Sequence, residues 1–246
     1  MKGRLVVVAA VLLIAGTASA QLPLTENFDY GTTAGSLTTF SGGTWAAFSG
    51  AGTGPVGYAT SSLSLSAYPF SGVGGSATIA TTGSEDVSRT WTTPHASGDI
   101  YYSALVNISS GGTGSYFLQL NANASTFRAR VYARVVSGNL NFGFSNTNTA
   151  TWAPDNFSLN TTYLLVVRYN AGTGAAALHV LTTYATTDTE PATPLLTATD
   201  ASPLATLVAI AIRQASGGPT ATIDGIRVAT SWGDALPVEL MNYSVE

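Results

Sequence analysis

Arginine and tyrosine side chains recur at every second position between residues 128 and 134. The series is Arg128, Arg130, Tyr132 and Arg134, and the residues between them are apolar. Because strand side chains alternate between two faces, an extended backbone would place all four on one face. Guanidinium groups hydrogen-bond sugars or carboxylates in a fork, and a tyrosine ring offers a stacking surface. The spacing predicts a ligand-binding strip; the alternative is pairing with acids on neighbouring strands, or solubilisation of an exposed face.

Trp152 lies in the polar segment NTATWAPDN and is the most loop-like of the four tryptophans. An indole ring at such a position is a candidate platform for stacking a sugar. The alternative is that it packs in the core or at its rim, as the other three tryptophans could. We include Trp152 with the strip as a candidate ligand-binding residue.

The chain is poor in arrangements that support catalysis. It has no cysteine and no G-x-S-x-G segment, which excludes thiolate chemistry and gives no sign of a serine nucleophile elbow. Glu85 and Asp86 are adjacent and would face opposite ways on a strand, whereas Asp188 and Glu190 lie in a segment rich in Pro and Thr. The two histidines, at positions 95 and 179, are isolated from these pairs. We therefore predict that the protein is not an enzyme.

The elements that must position these residues read as strands. Short alternating runs are separated by clusters of Gly, Asn, Thr and Pro, and no long window after the N-terminal segment has helical periodicity. The clearest run is 127–136, and residues 163–169 and 175–181 predict a hairpin through 170–174. About twelve strands are expected, too many for one flat sheet, so the prediction is an all-β sandwich of two packed antiparallel sheets. The Gly-rich segments 41–57 and 71–83, and the segment 182–203, are predicted to be long loops or an insertion.

The N-terminal twenty residues have the pattern of a secretory signal. Lys2 and Arg4 precede an apolar run at residues 5–15, and Ala18-Ser19-Ala20 is a small-residue cleavage site. The apolar run is too short to span a bilayer, so we expect cleavage after Ala20, export to the extracellular space or cell surface, and no membrane span afterwards. The predicted organisation is a signal peptide at 1–20, a β-sandwich domain at 21–233 and a C-terminal linker at 234–246.

Composition narrows the range of partners. After removal of the signal, seven arginines stand against thirteen acids, so the net charge is −6, which argues against nucleic acid. Charged residues are only 9% of the chain, so the surface must be formed mostly by Ser, Thr, Asn and Gly, which suits an extracellular protein.

Four segments give the chain a resemblance to a known family. They are ENFDY at 26–30, FRARVYARV at 127–135, LNTTYLLVVRY at 159–169 and IDGIRV at 223–228. Together they resemble the concanavalin A-like or laminin G-like jelly roll, over nearly all of the mature chain. The LPVEL segment at 236–240 also resembles linkers of secreted Bacteroidetes and Ignavibacteria proteins that precede a type IX secretion sorting tail.

The jelly-roll resemblance implies a set of functions rather than one. The superfamily contains lectins, carbohydrate-binding modules, glycoside hydrolases, polysaccharide lyases and adhesion domains, and fold alone does not choose among them. The chain lacks the E-x-D-x-x-E, R-x-E-x-R and Q-I-H motifs of the enzymatic branches.

The same resemblance implies a structural calcium between the first and last strands, with Glu26, Asp29 and Asp224 as its ligands. Calcium prefers several oxygen ligands, and carboxylates supply charge that carbonyls do not. The alternative is that Asp224 sits at a bulge or turn beside Gly225 and pairs with Arg227 or another arginine.

The function that these patterns favour is a secreted, non-catalytic β-sandwich module that binds an extracellular glycan or a cell-surface component in adhesion. A second hypothesis is a self-assembling structural protein of a matrix or fibre, because low charge and terminal strands suit edge-to-edge association. A third is a divergent polysaccharide-degrading enzyme.

Overall fold

The computed structural model describes residues 21–154, 157–184, 187–204 and 206–236. The predicted signal peptide and residues 237–246 of the predicted linker lie outside these ranges. Within them, no helix has the length and apolar character needed to cross a membrane. The packed structure extends to Leu236, since Ala235 and Leu236 are both buried.

The described ranges contain sixteen strands and two single-turn helices, α1 (Leu37–Phe40) and α2 (Trp232–Ala235). The strands are β1 (Leu24–Glu26), β2 (Gly35–Ser36), β3 (Ala46–Ser49), β4 (Gly57–Ala59), β5 (Ser76–Ile79), β6 (Asp86–His95), β7 (Asp99–Ser110), β8 (Ser115–Asn121), β9 (Phe127–Val136), β10 (Asn139–Ser145), β11 (Thr151–Trp152), β12 (Thr162–Asn170), β13 (Ala176–Leu181), β14 (Leu196–Ala198), β15 (Leu207–Ile212) and β16 (Thr220–Ala229).

The strands form two antiparallel sheets. One has nine strands in the order β14-β13-β12-β7-β16-β5-β4-β2, with β1 also paired to β16; the other has seven in the order β11-β10-β9-β8-β15-β6-β3. The predicted hairpin is confirmed, because β12 pairs with β13 and Asn170 Oδ1 accepts hydrogen bonds from the backbone N–H groups of Gly172 and Thr173. Strand pairing therefore brings residues that are distant in the chain into contact.

Apolar side chains on the facing surfaces of the sheets form the main core, and fully buried examples are Phe117, Phe142 and Tyr169. Burying each side chain of this size contributes about 1.5–3 kcal/mol before entropic costs. A second apolar cluster covers the outer face of the nine-stranded sheet and includes Leu105 and Trp232. The two-sheet sandwich predicted from the alternating runs is confirmed.

Three segments predicted to be loops carry strands. Residues 41–57 contain β3, residues 71–83 contain β5, and residues 182–203 contain β14. These strands have only three or four residues, so alternation is too brief to recognise, and their pairing partners lie far away in the chain. These three strands account for most of the difference between the expected twelve and the sixteen observed.

Candidate functional site

A bulge in β9 divides the predicted strip. Ala129 has a positive φ of 52°, and two residues of β9 lie opposite one residue of β8, since Leu118 pairs with Val131 and Leu120 with Arg128. An extra residue of this kind shifts the alternation of side chains by one position. Arg128 and Arg130 therefore point to opposite faces of the seven-stranded sheet, and the prediction that Arg128 shares a face with the other three residues is wrong.

Arg128 instead ties the two sheets together. Its Nε donates to Asp200 Oδ2, and its Nη2 donates to the carbonyl of Ser202 at 3.1 Å. Asp200 Oδ2 also accepts from the hydroxyl of Tyr169, 3.1 Å away, and Tyr169 is a fully buried residue of the opposite sheet. For Arg128, the alternative of pairing with an acid is the one that the structure shows.

Arg130, Tyr132 and Arg134 remain on the outer face of the seven-stranded sheet, where they meet Tyr116 of β8. Tyr116 and Tyr132 are cross-strand partners, and their rings pack edge to face with centroids 5.3 Å apart. The Arg130 guanidinium lies 4.9 Å from the Tyr116 centroid, and Arg213, directly after β15, lies 4.2 Å from the same centroid. One tyrosine ring thus contacts two cations.

Trp152 completes this group from the edge strand β11. Its indole lies against Gly143, its cross-strand partner, where an added Cβ would approach the ring to 2.8 Å. The far end of the ring reaches Gly114, where an added Cβ would also come within 2.8 Å. The Arg134 guanidinium lies 4.1 Å from the ring centroid. Tyr116, Arg130, Tyr132, Arg134, Trp152 and Arg213 are called the arginine–aromatic cluster below.

The charges of the cluster are not balanced by neighbouring acids. Of its three arginines only Arg213 has a carboxylate within 4.0 Å among the described residues, Asp86 at 3.8 Å. Arg130 hydrogen-bonds to Asn148 Oδ1 and to the carbonyl of Phe127. Within the described ranges, Arg134 contacts the Trp152 ring but has neither an ion pair nor a hydrogen bond. Arg134 is partly buried, and its guanidinium is the one in the cluster without a described protein acceptor.

Tyr132 is held as a neutral hydrogen-bond donor. Its hydroxyl donates to the carbonyl of Thr147 at 2.8 Å, and the residue is almost completely buried. Burial raises the pKa of this hydroxyl above its ordinary value, while the neighbouring Arg130 acts in the opposite direction. The ring therefore serves as a fixed wall of the cluster at neutral pH.

A separate small cavity of about 140 Å³ lies on the seven-stranded sheet. Its lining includes Phe48, Thr90 and Asn121, and none of the cluster residues. Between the cavity and the cluster lies Gln119, which is fully buried and donates from Nε2 to Asn121 Oδ1 at 2.8 Å. Its Oε1 has no hydrogen-bond partner among the described residues. This acceptor is buried beneath the face rather than exposed on it.

The three acids predicted to bind calcium do not form one site. Glu26 points toward the core, where its carboxylate accepts from Trp45 Nε1 at 2.8 Å and Arg89 Nη1 at 2.6 Å. It also accepts from the N–H of Phe28 and the hydroxyl of Tyr30. The donors surrounding Glu26 are protein groups, and they occupy both of its oxygens.

Asp224 of β16 points away from the core, to the face opposite Glu26. There it contacts the loop that covers the outer surface of the nine-stranded sheet. It accepts from Ser62 Oγ at 2.5 Å and from the N–H of Leu63 at 2.8 Å. The third predicted ligand, Asp29, is exposed. Across the described part of the chain, no group of three or more His, Asp or Glu residues is arranged to hold a metal. The predicted calcium site at Glu26, Asp29 and Asp224 is therefore not assembled.

The bulge suggested for Asp224 is present. Gly225 has a φ of 55°, and the pairing of β16 with β7 shifts between Asp224 and Arg227. No ion pair joins Asp224 to Arg227 in the described structure; Arg227 donates to Asn27 Oδ1 and stacks 3.9 Å from the Phe70 centroid. The glycine thus supports the backbone geometry, and hydrogen bonds rather than an ion pair hold Asp224.

Neither a family model nor a curated protein sequence matches this chain. Solved structures do resemble it. A sialidase aligns with a TM-score of 0.55 at 13% identity, covering 89% of this chain, which spans only 19% of the sialidase. The cellulose-induced protein Cip1 aligns with a TM-score of 0.51 at 14% identity, covering 85% of this chain and 97% of Cip1. The fold is a concanavalin A-like jelly roll. At these identities the likeness establishes the fold alone.

Two members of the cluster in this jelly roll were not predicted from the sequence. Tyr116 stands at the start of the run YFLQLN, and Arg213 directly follows the run LVAIAI. Each is a polar or aromatic residue at the end of an apolar strand, which is a weak signal in isolation. Only the order β9-β8-β15 in the sheet brings them beside Tyr132 and Arg130.

A second polar group was also missed. His179 Nε2 lies 3.0 Å from Glu190 Oε1, and Glu190 Oε2 lies 2.7 Å from Arg168 Nε and accepts from the hydroxyl of Tyr101 at 3.2 Å. These contacts attach the segment that carries Glu190 to three neighbouring strands. His179 is buried, as expected for a packed residue, and its acidic partner comes from a segment eleven positions later.

Proposed function

We propose that this protein is a secreted carbohydrate-binding module whose ligand lies on the arginine–aromatic cluster. The observation that carries the proposal is the guanidinium of Arg134, which stacks on Trp152 at the outer face of the seven-stranded sheet and has no ion-pair partner among the described residues. Export is inferred from the signal-like N-terminus and the weakly charged composition.

The cluster offers both kinds of contact that sugars require. A sugar ring has apolar C–H faces, which stack on aromatic rings, and an equatorial rim of hydroxyl groups, which accept and donate hydrogen bonds. Tyr116 and Trp152 are partly exposed and provide ring surface, while the arginines provide donors. These side chains lie on or next to paired strands and pack against each other. Binding would therefore restrict few additional side-chain torsions and cost little conformational entropy.

The proposed role is binding rather than catalysis, because the acidic pairs are engaged in structural contacts. Glu85 accepts from the N–H groups of Gly52 at 2.8 Å and Val56 at 3.2 Å, which stabilises a loop. Glu190 is held by His179 and Arg168, on the outer face of the nine-stranded sheet, away from the cluster. Neither pair presents two free carboxyl groups across a cleft, as hydrolysis of a glycosidic bond requires.

A glycan array tests the proposal. The purified protein and its Trp152→Ala variant would be applied in calcium and again in chelator. We expect selective binding by the wild-type protein in both conditions and loss of binding by the variant.

Phe70→Ala is the matched control, because Phe70 also stacks with an arginine but lies over the opposite sheet. It should retain binding. An absence of binding to every glycan would contradict the proposal and favour the self-assembling structural hypothesis, which electron microscopy of the purified protein would then examine.

A further inference from the structure

We infer that the ligand of the arginine–aromatic cluster is an anionic glycan, one that carries carboxylate or sulfate groups. This inference rests on the proposed function and specifies its ligand class. It comes from the distribution of charge among the described residues: two of the three arginines of the cluster have no carboxylate partner, whereas three of the four other described arginines have one.

The arginines away from this face are mostly paired. Arg89 contacts Glu26, Arg128 contacts Asp200, and Arg168 contacts Glu190, all within 2.7 Å. In the cluster, only the 3.8 Å contact of Arg213 with Asp86 joins a described carboxylate. The face is therefore locally positive although the mature chain has a net charge of −6. Long-range attraction by the whole molecule cannot explain recognition of an anion, so the recognition must be local.

The positive charges are also close to one another. Arg130 and Arg213 both contact the ring of Tyr116, at 4.9 and 4.2 Å from its centroid. Like charges that contact one ring repel each other, although each is attracted to the ring. An anionic group bound beside this ring would offset the repulsion, whereas a neutral hydroxyl group would not.

The chemistry of the guanidinium group points to the same ligand. Arginine has five N–H donors and no acceptor, so three arginines on one face are best complemented by a group that only accepts. Carboxylate and sulfate are such groups, and both match the fork geometry of guanidinium. Arg134 has its terminal nitrogens free of described partners, and contact with Trp152 fixes the plane of its guanidinium. Arg130 is 7% exposed and its Nε has no partner among the described residues, so it lies at the floor of the cluster rather than in free solvent.

Binding to matched polysaccharides tests the inference. Calorimetric titrations would use oligogalacturonate, its methyl ester, sulfated dextran and unmodified dextran at low and high salt. We expect oligogalacturonate or sulfated dextran to bind at least about tenfold more tightly than its neutral counterpart, and the preference to shrink as salt is raised. Comparison of the carboxylated and sulfated arms distinguishes the two sources of negative charge.

Variants identify the residues responsible for the preference for charged over neutral polysaccharide. Arg134→Gln is expected to reduce it about tenfold or more, because it removes one charged, bidentate contact. Arg134→Lys keeps the charge but loses the planar fork, so it should recover only part of the preference. Arg168→Gln removes the same unit charge from the opposite sheet and should leave the preference unchanged. Circular dichroism and thermal melts of each variant separate loss of binding from loss of fold.

The outcomes for this inference and for the proposed function are distinct. Equal binding of charged and neutral forms would overturn the anionic ligand class while leaving a carbohydrate-binding module in place. A preference that survives Arg134→Gln but is lost in Arg168→Gln would overturn the assignment to this cluster. Binding to no glycan, charged or neutral, would overturn the proposed function itself.

Discussion

Gly143 lies directly against the indole ring of Trp152, its cross-strand partner at the edge of the seven-stranded sheet. An added Cβ at Gly143 would lie only 2.8 Å from Cε3 of that ring. Because Gly143 has no side chain, Trp152 can lie across β10 and contact Arg134. The position of the ring depends on this glycine as much as on the tryptophan itself.

Gly143→Val should therefore displace Trp152 and weaken glycan binding without unfolding the protein. The displaced ring would no longer support the Arg134 guanidinium, and overpacking at this edge should cost about 1–3 kcal/mol of unfolding free energy. Tryptophan fluorescence and a glycan-binding titration would measure both effects. Gly172→Ala is the control, because an added Cβ there meets nothing closer than Asn170 Oδ1 at 3.5 Å. Unchanged binding in Gly143→Val would show that the ring position is unimportant.

Substitution of Arg128 should reduce stability, whereas substitution of Arg134 should reduce binding. Arg128→Gln removes a charged contact with Asp200 between the sheets, and we expect it to lower the free energy of unfolding by about 1.5–3 kcal/mol with little effect on glycan affinity. Arg134→Gln should do the reverse. Urea denaturation and binding titrations of both variants check this. If Arg128→Gln weakened binding as strongly as Arg134→Gln at equal stability, the result would contradict the assignment of Arg128 to the inner face by the bulge at Ala129.

Glu26→Ala should destabilise the protein strongly. It leaves Arg89 unpaired and removes the acceptor of Trp45 Nε1 and of the Tyr30 hydroxyl, and breaking a buried pair of this kind costs about 3–5 kcal/mol. Because protein donors occupy both carboxylate oxygens, the loss should be the same in calcium and in chelator. Urea denaturation measures it, with Thr25→Ala, an exposed neighbour, as the control. A loss seen only in the presence of calcium would restore Glu26 as a metal ligand.

Asp224 should make stability depend on pH between about 4 and 6. Burial raises its pKa from 3.8 to about 6, against the opposing hydrogen bonds from Ser62 and two backbone N–H groups. A carboxyl group whose pKa is higher in the folded state stabilises the fold most below its unfolded pKa, and this contribution is lost as the pH rises through 6.

Asp224→Asn cannot titrate, so the stability of the wild-type protein relative to this variant should fall between pH 4 and pH 7. The shift corresponds to a change on the order of 3 kcal/mol at most. Denaturation curves at several pH values measure it, with Asp29→Asn as a control that removes the same charge from an exposed position. Parallel pH profiles for wild type and Asp224→Asn would contradict the prediction.

The sequence by itself determined the class of fold and most of the long strands. Residues 127–136 alternate between polar and apolar, and residues 163–169 are mostly apolar. Patterns of this kind that extend over seven or more residues indicate strands. The same alternation correctly grouped Arg130, Tyr132 and Arg134, because β9 pairs with β10 without a register shift between these residues. The hairpin at 170–174 was also predictable, since glycine and asparagine there serve a local turn.

What only the tertiary structure decided depends on pairing partners that are distant in the chain. Ala129 adopts a positive φ because β8 offers one residue opposite two, and alanine in the sequence carries no sign of that geometry. This single bulge moved Arg128 to the inner side, while strand order brought Tyr116 and Arg213 to the outer side. The acids predicted for calcium were separated for the same reason, since Glu26 and Asp224 extend from opposite faces of the paired strands β1 and β16. The register between strands determines which face of the sheet a side chain occupies and which residues lie beside it. That register depends on the packing of the whole sandwich rather than on any local segment.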